Sequence, residues 1–244
     1  MSLPVRSKMS SCWVVIPAAG VGARMRQAGI HTDLPKQYLS LVGKPCLQHV
    51  IDTFLGMEEV KGICVALSPT DALFMQCVAP DQRIFTTAGG AERSSSVLNG
   101  LRFIAHSGAN ESDWVLVHDA ARPCVSVLHI QTLLQTCEQK NVAGLLAVPV
   151  TDTLKRQTTN RLVEQTVDRQ SLWQAHTPQC ARLGALRSAM EMAQRQKLNI
   201  TDEASALEAA GEDVVLVEDS RDNIKITRPE DVWLAEQILE RQAV

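Results

Sequence analysis

Unbroken apolar runs alternate along this chain with segments whose apolar residues recur every three to four positions. A strand buried on both faces reads as a continuous apolar run, and a helix lying on it as an amphipathic period. Their alternation calls for a sheet covered by helices on both sides. The spacing predicts strands at 12–16, 60–67, 83–87, 114–118, 144–150 and 214–217. Helices are predicted at 44–57, with Pro45 in the first turn, and at 92–107, with Val97, Leu101 and Ile104 on one face and Gly108 closing it. Further helices are predicted at 126–140, 182–196 and 202–210, and from Glu230 onward. Repeated strand-then-helix units make the expected fold α/β, a mostly parallel, doubly wound sheet within a single domain over 1–244. Segment 151–167 breaks the rhythm, because two β-capable arms flank the polar Thr158-Thr159-Asn160. A hairpin alone in water is marginal, so this one is expected to pack on another chain or on the parent domain.

Charge narrows the function. With 24 Lys+Arg against 27 Asp+Glu the net charge is −3, which argues against a protein that holds long nucleic acids by neutralising phosphates. The 4 Phe, 4 Trp and 1 Tyr are also too few for a base-stacking platform. The 7 cysteines form an odd set without C-x-x-C, which reads as buried free thiols in a reducing, cytoplasmic protein. Arg6 and Lys8 precede an apolar run, but that run is short and holds Pro17, so it is not read as a secretory signal. No stretch approaches 18 apolar residues, and no membrane partner is expected.

Directly after the first strand comes Pro17-Ala18-Ala19-Gly20-Val21-Gly22-Ala23-Arg24-Met25. Small residues and two glycines at a strand end let backbone N–H groups approach a phosphate. The segment fails as a dinucleotide fingerprint at Met25, and no Gly-Lys-Ser/Thr follows to make a Walker A loop. Arg24 and Lys36 add two cations suited to a triphosphate. Gly89-Gly90 with Arg93 and Ser94-Ser95-Ser96 again joins a strand end to a helix start, where the serines also fit ordinary helix caps. His118-Asp119-Ala120-Ala121-Arg122 sets a carboxylate beside an arginine; Asp119 suits Mg²⁺, a ribose hydroxyl or a simple ion pair. Topology brings these strand ends to the carboxyl edge of the sheet.

In order along the chain stand PAAG-x-G-x-R-M at 17–25, PKQY at 35–38, GG-x-x-R-x-x-SV at 89–97, HDAARP at 118–123, D-T-x-K at 152–155 and DR-x-x-LW at 168–173. TPQ at 177–179, TDEASALE at 201–208 and NIK-x-T at 223–227 complete the set. Across nearly its whole length the chain resembles the 2-C-methyl-D-erythritol 4-phosphate cytidylyltransferases of the non-mevalonate isoprenoid pathway. The resemblance implies a Rossmann-like nucleotidyltransferase fold whose protruding β-hairpin arm embraces a second subunit in a homodimer. It implies that CTP is held by Pro17, Ala18, Ala19, Gly20, Gly22 and Ala120, with Gly90, Arg93 and Ser96 opposite. Arg24 and Lys36 would stabilise the transition state, and Arg169 and Lys225 would position the acceptor phosphate. Asp119, Arg122, Thr153, Thr177 and Thr201 would be further substrate contacts, some across the dimer, with Asp119 near Mg²⁺ or another divalent metal. The stretch between Arg24 and Lys36 is longer than usual for the family, and Ala91 replaces a polar residue of some members. A cyclase domain, fused in bifunctional relatives, is not expected within 244 residues. Ribitol-5-phosphate cytidylyltransferases share PAAG and HDAAR and form the alternative within the class. Outside it stand an NAD-binding oxidoreductase and a non-catalytic nucleotide-binding module.

Overall fold

The structure, a computed structural model, describes residues 10–20 and 34–243. Among these, strand β1 (Cys12–Ala18) is followed by a single 3₁₀ turn at Lys36–Tyr38 and a small ladder of β2 (Ser40–Leu41) with β3 (Lys44–Pro45). Then come α1 (Cys46–Leu55), β4 (Val60–Leu67), α2 (Phe74–Cys77), β5 (Ile84–Ala88), α3 (Arg93–His106), β6 (Trp114–Val117), α4 (Val127–Lys140) and β7 (Ala143–Pro149). The last part holds β8 (Leu154–Gln157), β9 (Val163–Val167), β10 (Trp173–Arg182), α5 (Leu183–Gln196), α6 (Glu203–Ala209), β11 (Val214–Glu218) and α7 (Pro229–Gln242).

Seven strands form the main sheet in the order β11-β7-β10-β6-β1-β4-β5. All neighbours run parallel except at β10, which is antiparallel to both β6 and β7. Successive side chains of a strand point to opposite faces, and β1 uses both. Val14 and Ile16 join a core with Leu47, Val50 and Phe54 of α1 and Ile130 and Leu134 of α4. Val15 joins a second core with Val97 and Leu101 of α3, Leu186 of α5 and Leu207 of α6. The α/β, mostly parallel, two-sided architecture is therefore present as the alternation of patterns requires.

Two local departures have physical causes. The first helix begins at Cys46, not at residue 44, because Lys44 and Pro45 pair with Ser40 and Leu41 and Pro45 keeps extended backbone (ψ 144°) as the N-cap. Strand β10 is absent from the elements that the sequence predicts. Its word His176-Thr177-Pro178-Gln179 reads as a polar loop, yet the four residues run through the middle of the sheet. Ala175 faces Ala147 and Gln179 faces Leu145, so four steps of β10 match two of β7. Such a bulge admits a proline and redirects side chains out of the regular alternation. The predicted hairpin exists as β8 paired with β9, apart from the main sheet and largely exposed.

Candidate active site

The carboxyl ends of β1, β5 and β6 open into a cavity of about 410 Å³. One wall is the turn after β1, where Pro17, Ala18, Ala19 and Gly20 line the space. Gln37, 3% exposed, donates through Nε2 to the Ala18 carbonyl at 2.9 Å, and the Tyr38 hydroxyl donates to Asp71 Oδ2 at 2.7 Å. The first bond ties the turn that carries Lys36 to the end of β1 and the second ties it to the loop after β4, and Lys36 lines the cavity. Gly22 and Arg24 lie outside the described residues.

The opposite wall is the link from β5 to α3. A Cβ on Gly89 would stand 2.4 Å from Ala19 Cβ, and one on Gly90 would stand 2.3 Å from Ser95 Cβ. Only glycine allows this link to press against both the β1 turn and the start of α3. Ser96, 2% exposed, accepts the Gly90 N–H at 3.0 Å and donates to the Glu92 carbonyl at 3.0 Å, so its hydroxyl shapes the turn from within. Gly90, Ala91, Glu92, Arg93 and Ser96 all line the cavity.

Asp119, just past β6, is the centre of charge. Its Oδ1 accepts from Arg93 Nε at 2.8 Å, and its Oδ2 lies 2.7 Å from Lys225 Nζ and 3.7 Å from Arg122 Nε. Burial alone would raise its pKa, but Arg93 and Lys225 outweigh burial and hold the carboxyl far below the usual carboxylate range. Ile226 N–H donates to the Ala121 carbonyl at 2.8 Å, which ties the Asn223–Lys225 segment to the Asp119 loop and brings Lys225 to the cavity. Ala120 and Ala121 line the same space.

Behind Asp119 lies a polar scaffold. The Asp119 N–H donates to Thr177 Oγ1 at 3.1 Å, and that hydroxyl meets His118 Nδ1 at 3.1 Å. His118 Nε2 faces the Arg122 carbonyl at 3.0 Å. A carbonyl only accepts, so Nε2 carries the proton and Nδ1 accepts from Thr177. Burial lowers the His118 pKa to about 4, only partly offset by the bond to Arg122, so the ring is neutral near pH 7. Arg122 donates to the Asn223 carbonyl at 2.6 Å, and Asn223 in turn donates to Thr177 O at 2.8 Å and Asp219 at 2.7 Å. His176 closes the set on Asp219 at 2.8 Å.

Of the residues singled out from the sequence, Pro17, Ala18, Ala19, Gly20, Lys36, Gly90, Arg93, Ser96, Asp119, Ala120 and Lys225 share one cavity. Arg122 and Thr177 are buried behind its wall. Thr153 and Arg169 sit at the exposed base of the hairpin, where Arg169 donates to the Thr151 carbonyl. Thr201 lines a separate cavity of about 80 Å³, which Arg93 also lines. Gln37, Thr227 and Glu203 have no role assigned from the sequence. The signal for Glu203 is its place in TDEAS, where Asp202 and Ser205 are accounted for as a helix capping box and Glu203 is not. Among the described residues no cluster of three or more His, Cys, Asp or Glu is placed to hold a metal. Mg²⁺ commonly takes one or two carboxylates and completes its shell with substrate phosphates and water. Asp119, an ionised carboxylate on the cavity wall, suits that mode by its chemistry, while in this structure Arg93 engages its Oδ1 and Lys225 its Oδ2.

The family model for IspD, 2-C-methyl-D-erythritol 4-phosphate cytidylyltransferase, matches residues 12–241. The chain belongs to this cytidylyltransferase family. A relative of that name from Ectopseudomonas mendocina is 50% identical over 231 residues, covering 94% of this chain and 96% of its own length. Another from Pseudomonas putida is 49% identical over 228 residues, covering 92% and 94%. The crystal structure of the Francisella tularensis cytidylyltransferase superposes with a TM-score of 0.80 at 38% identity, covering 94% of this chain and 100% of that one. That of the Thermus thermophilus cytidylyltransferase gives 0.75 at 30% identity, covering 96% and 100%. As a cytidylyltransferase family member the chain is a nucleotidyltransferase with a Rossmann-like fold. No helix among the described residues is long and apolar enough to cross a membrane.

Proposed function

We propose that the chain transfers CMP from CTP to 2-C-methyl-D-erythritol 4-phosphate, releasing pyrophosphate and 4-diphosphocytidyl-2-C-methyl-D-erythritol for isoprenoid precursor synthesis. The observation that carries this reading is the meeting of Lys36, Lys225 and Asp119 around a glycine-built cavity in a member of this family. The acceptor phosphate is anionic at neutral pH, so its oxygen attacks the α-phosphorus directly while the bond to the pyrophosphate oxygen breaks. No proton must leave the nucleophile, and the buried, neutral His118 is not needed as a base.

The obstacle is electrostatic: two anions must approach, and charge gathers on the phosphoryl oxygens. The turn from Pro17 to Gly22 would present backbone to the triphosphate, with Gly90, Ser96 and Ala120 shaping the nucleoside side. Arg24 and Lys36 would neutralise the developing charge. Lys225 and Arg169, with Thr153 and Thr201 as further contacts, some of them reached across a dimer, would hold the acceptor phosphate in line. Asp119 would hold Mg²⁺ or another divalent ion, which when bound supplies further neutralisation of the phosphates. Arg122 and Thr177 would contribute by fixing the Asp119 loop. The arm at 154–167 would reach a second subunit, and the buried free thiols suit a reducing, cytoplasmic compartment.

Pyrophosphate release tests the reading. It is expected with CTP and 2-C-methyl-D-erythritol 4-phosphate, and at a much lower rate with ribitol 5-phosphate. Release with ribitol 5-phosphate alone would transfer the assignment to the other cytidylyltransferase class.

A further inference from the structure

Glu203 is 1% exposed, and both its oxygens are on one partner: Oε1 accepts from Arg93 Nη1 at 2.7 Å and Oε2 from Nη2 at 3.1 Å. The third nitrogen of that guanidinium, Nε, donates to Asp119 at 2.8 Å. Helix α6 does not require this arrangement. Its start is already capped by Asp202 and Ser205, and by Gln179, which accepts the Ala204 N–H at 2.7 Å. An acidic residue in a first helical turn is normally left in water, and burying one is costly without a partner. Glu203 is buried, and what it gains is a two-point grip that fixes the plane of the Arg93 guanidinium.

We propose that Glu203 is a positioning residue: its grip on Arg93 fixes the Asp119 carboxylate on the cavity wall, so that Arg93 serves the reaction through Asp119 and not as a clamp on CTP. The charge of Arg93 is shared between two carboxylates, whereas a phosphate clamp needs its charge turned to the ligand. Arg93 also lines both the 410 Å³ cavity and the 80 Å³ one, the latter together with Glu203. The inference rests on the cytidylyltransferase reading.

Steady-state pyrophosphate release and CTP calorimetry on the full chain test it, with Glu203→Gln, Arg93→Gln and the double variant beside wild type. Glu203→Gln is expected to lower kcat about 10-fold or more while KM and Kd for CTP move less than about threefold, as for a displaced group that matters in the transition state. The double variant is expected to be no slower than the slower single one, because both act through one carboxylate. Unchanged kcat in Glu203→Gln with only a lower melting temperature would reduce Glu203 to a structural contact and overturn the proposal. A large rise in Kd for CTP in Arg93→Gln with kcat preserved would overturn it too, by making Arg93 a clamp. Should Glu203→Gln not fold, the double variant, which leaves neither partner as an unpaired buried charge, carries the same test; wild-type kcat there refutes the role. Failure of wild type itself to release pyrophosphate would instead refute the reaction, which separates the two outcomes.

Discussion

At Asp119 burial and pairing pull in opposite directions, and pairing wins because three cations converge on one carboxylate. For the cations that face the substrates, the reaction's own charges set the expectations. Arg24→Ala or Lys36→Ala should lower kcat on the order of 100-fold, the scale for losing one charge-stabilising donor; near-normal pyrophosphate release in either would remove its role. Arg169→Ala should weaken the methylerythritol phosphate and leave CTP affinity almost unchanged in calorimetry. His118 gives a stability signature. Its pKa is about 4 when folded against 6.5 unfolded, so the unfolded chain gains a proton that the folded one refuses as pH falls between these values. The contribution is present above 6.5 and is lost toward pH 4. Urea unfolding at pH 7, 6 and 5 should show a shallower loss of stability in His118→Gln than in wild type, and equal slopes would exclude His118 as the cause.

The elements show where local pattern suffices. Strands β1, β4 and β6 are legible because they are apolar on both faces, and α3 and α4 because their apolar residues keep a helical period; their bounds shift by only a residue or two. Strand β10 is illegible for the converse reason. Its bulge carries His176, Thr177 and Pro178, residues that signal a loop, and their polar atoms are satisfied by Asp219, Asn223 and His118. Those partners are remote in sequence, so no window centred on β10 contains the compensation. Gln179 is the hinge between β10 and α6: its amide donates to Asp202 at 2.9 Å and accepts from Ala204 at 2.7 Å. Gln179→Leu leaves a buried N–H unsatisfied and should cost about 1–3 kcal/mol in urea unfolding. Because α6 also carries Glu203, the same variant should slow turnover.

For the molecule as a whole, the net charge of −3 hides a dense local mixture of both signs: Lys36, Arg93 and Lys225 line one cavity together with Glu92 and Asp119, and Arg122 lies behind it. The arm is the other feature of this scale. Leu162 and Val163 near its tip are 67% and 65% exposed, apolar surface on a hairpin that forms its own small sheet apart from the main one. If the arm embraces a second copy, Leu162→Lys with Val163→Glu should shift the chain from dimer to monomer in sedimentation equilibrium, and a wild-type monomer would refute the arm's role. Sequence by itself determined the two-sided α/β sheet, the hairpin, the glycine turns and the set of candidate charges, since each is written in residues close together along the chain. Tertiary structure alone decided how those charges are used: Arg93 meets Glu203 across 110 residues and Asp119 meets Lys225 between separate loops. Such pairings follow from strand order and from the antiparallel insertion of β10, and a local periodicity carries neither.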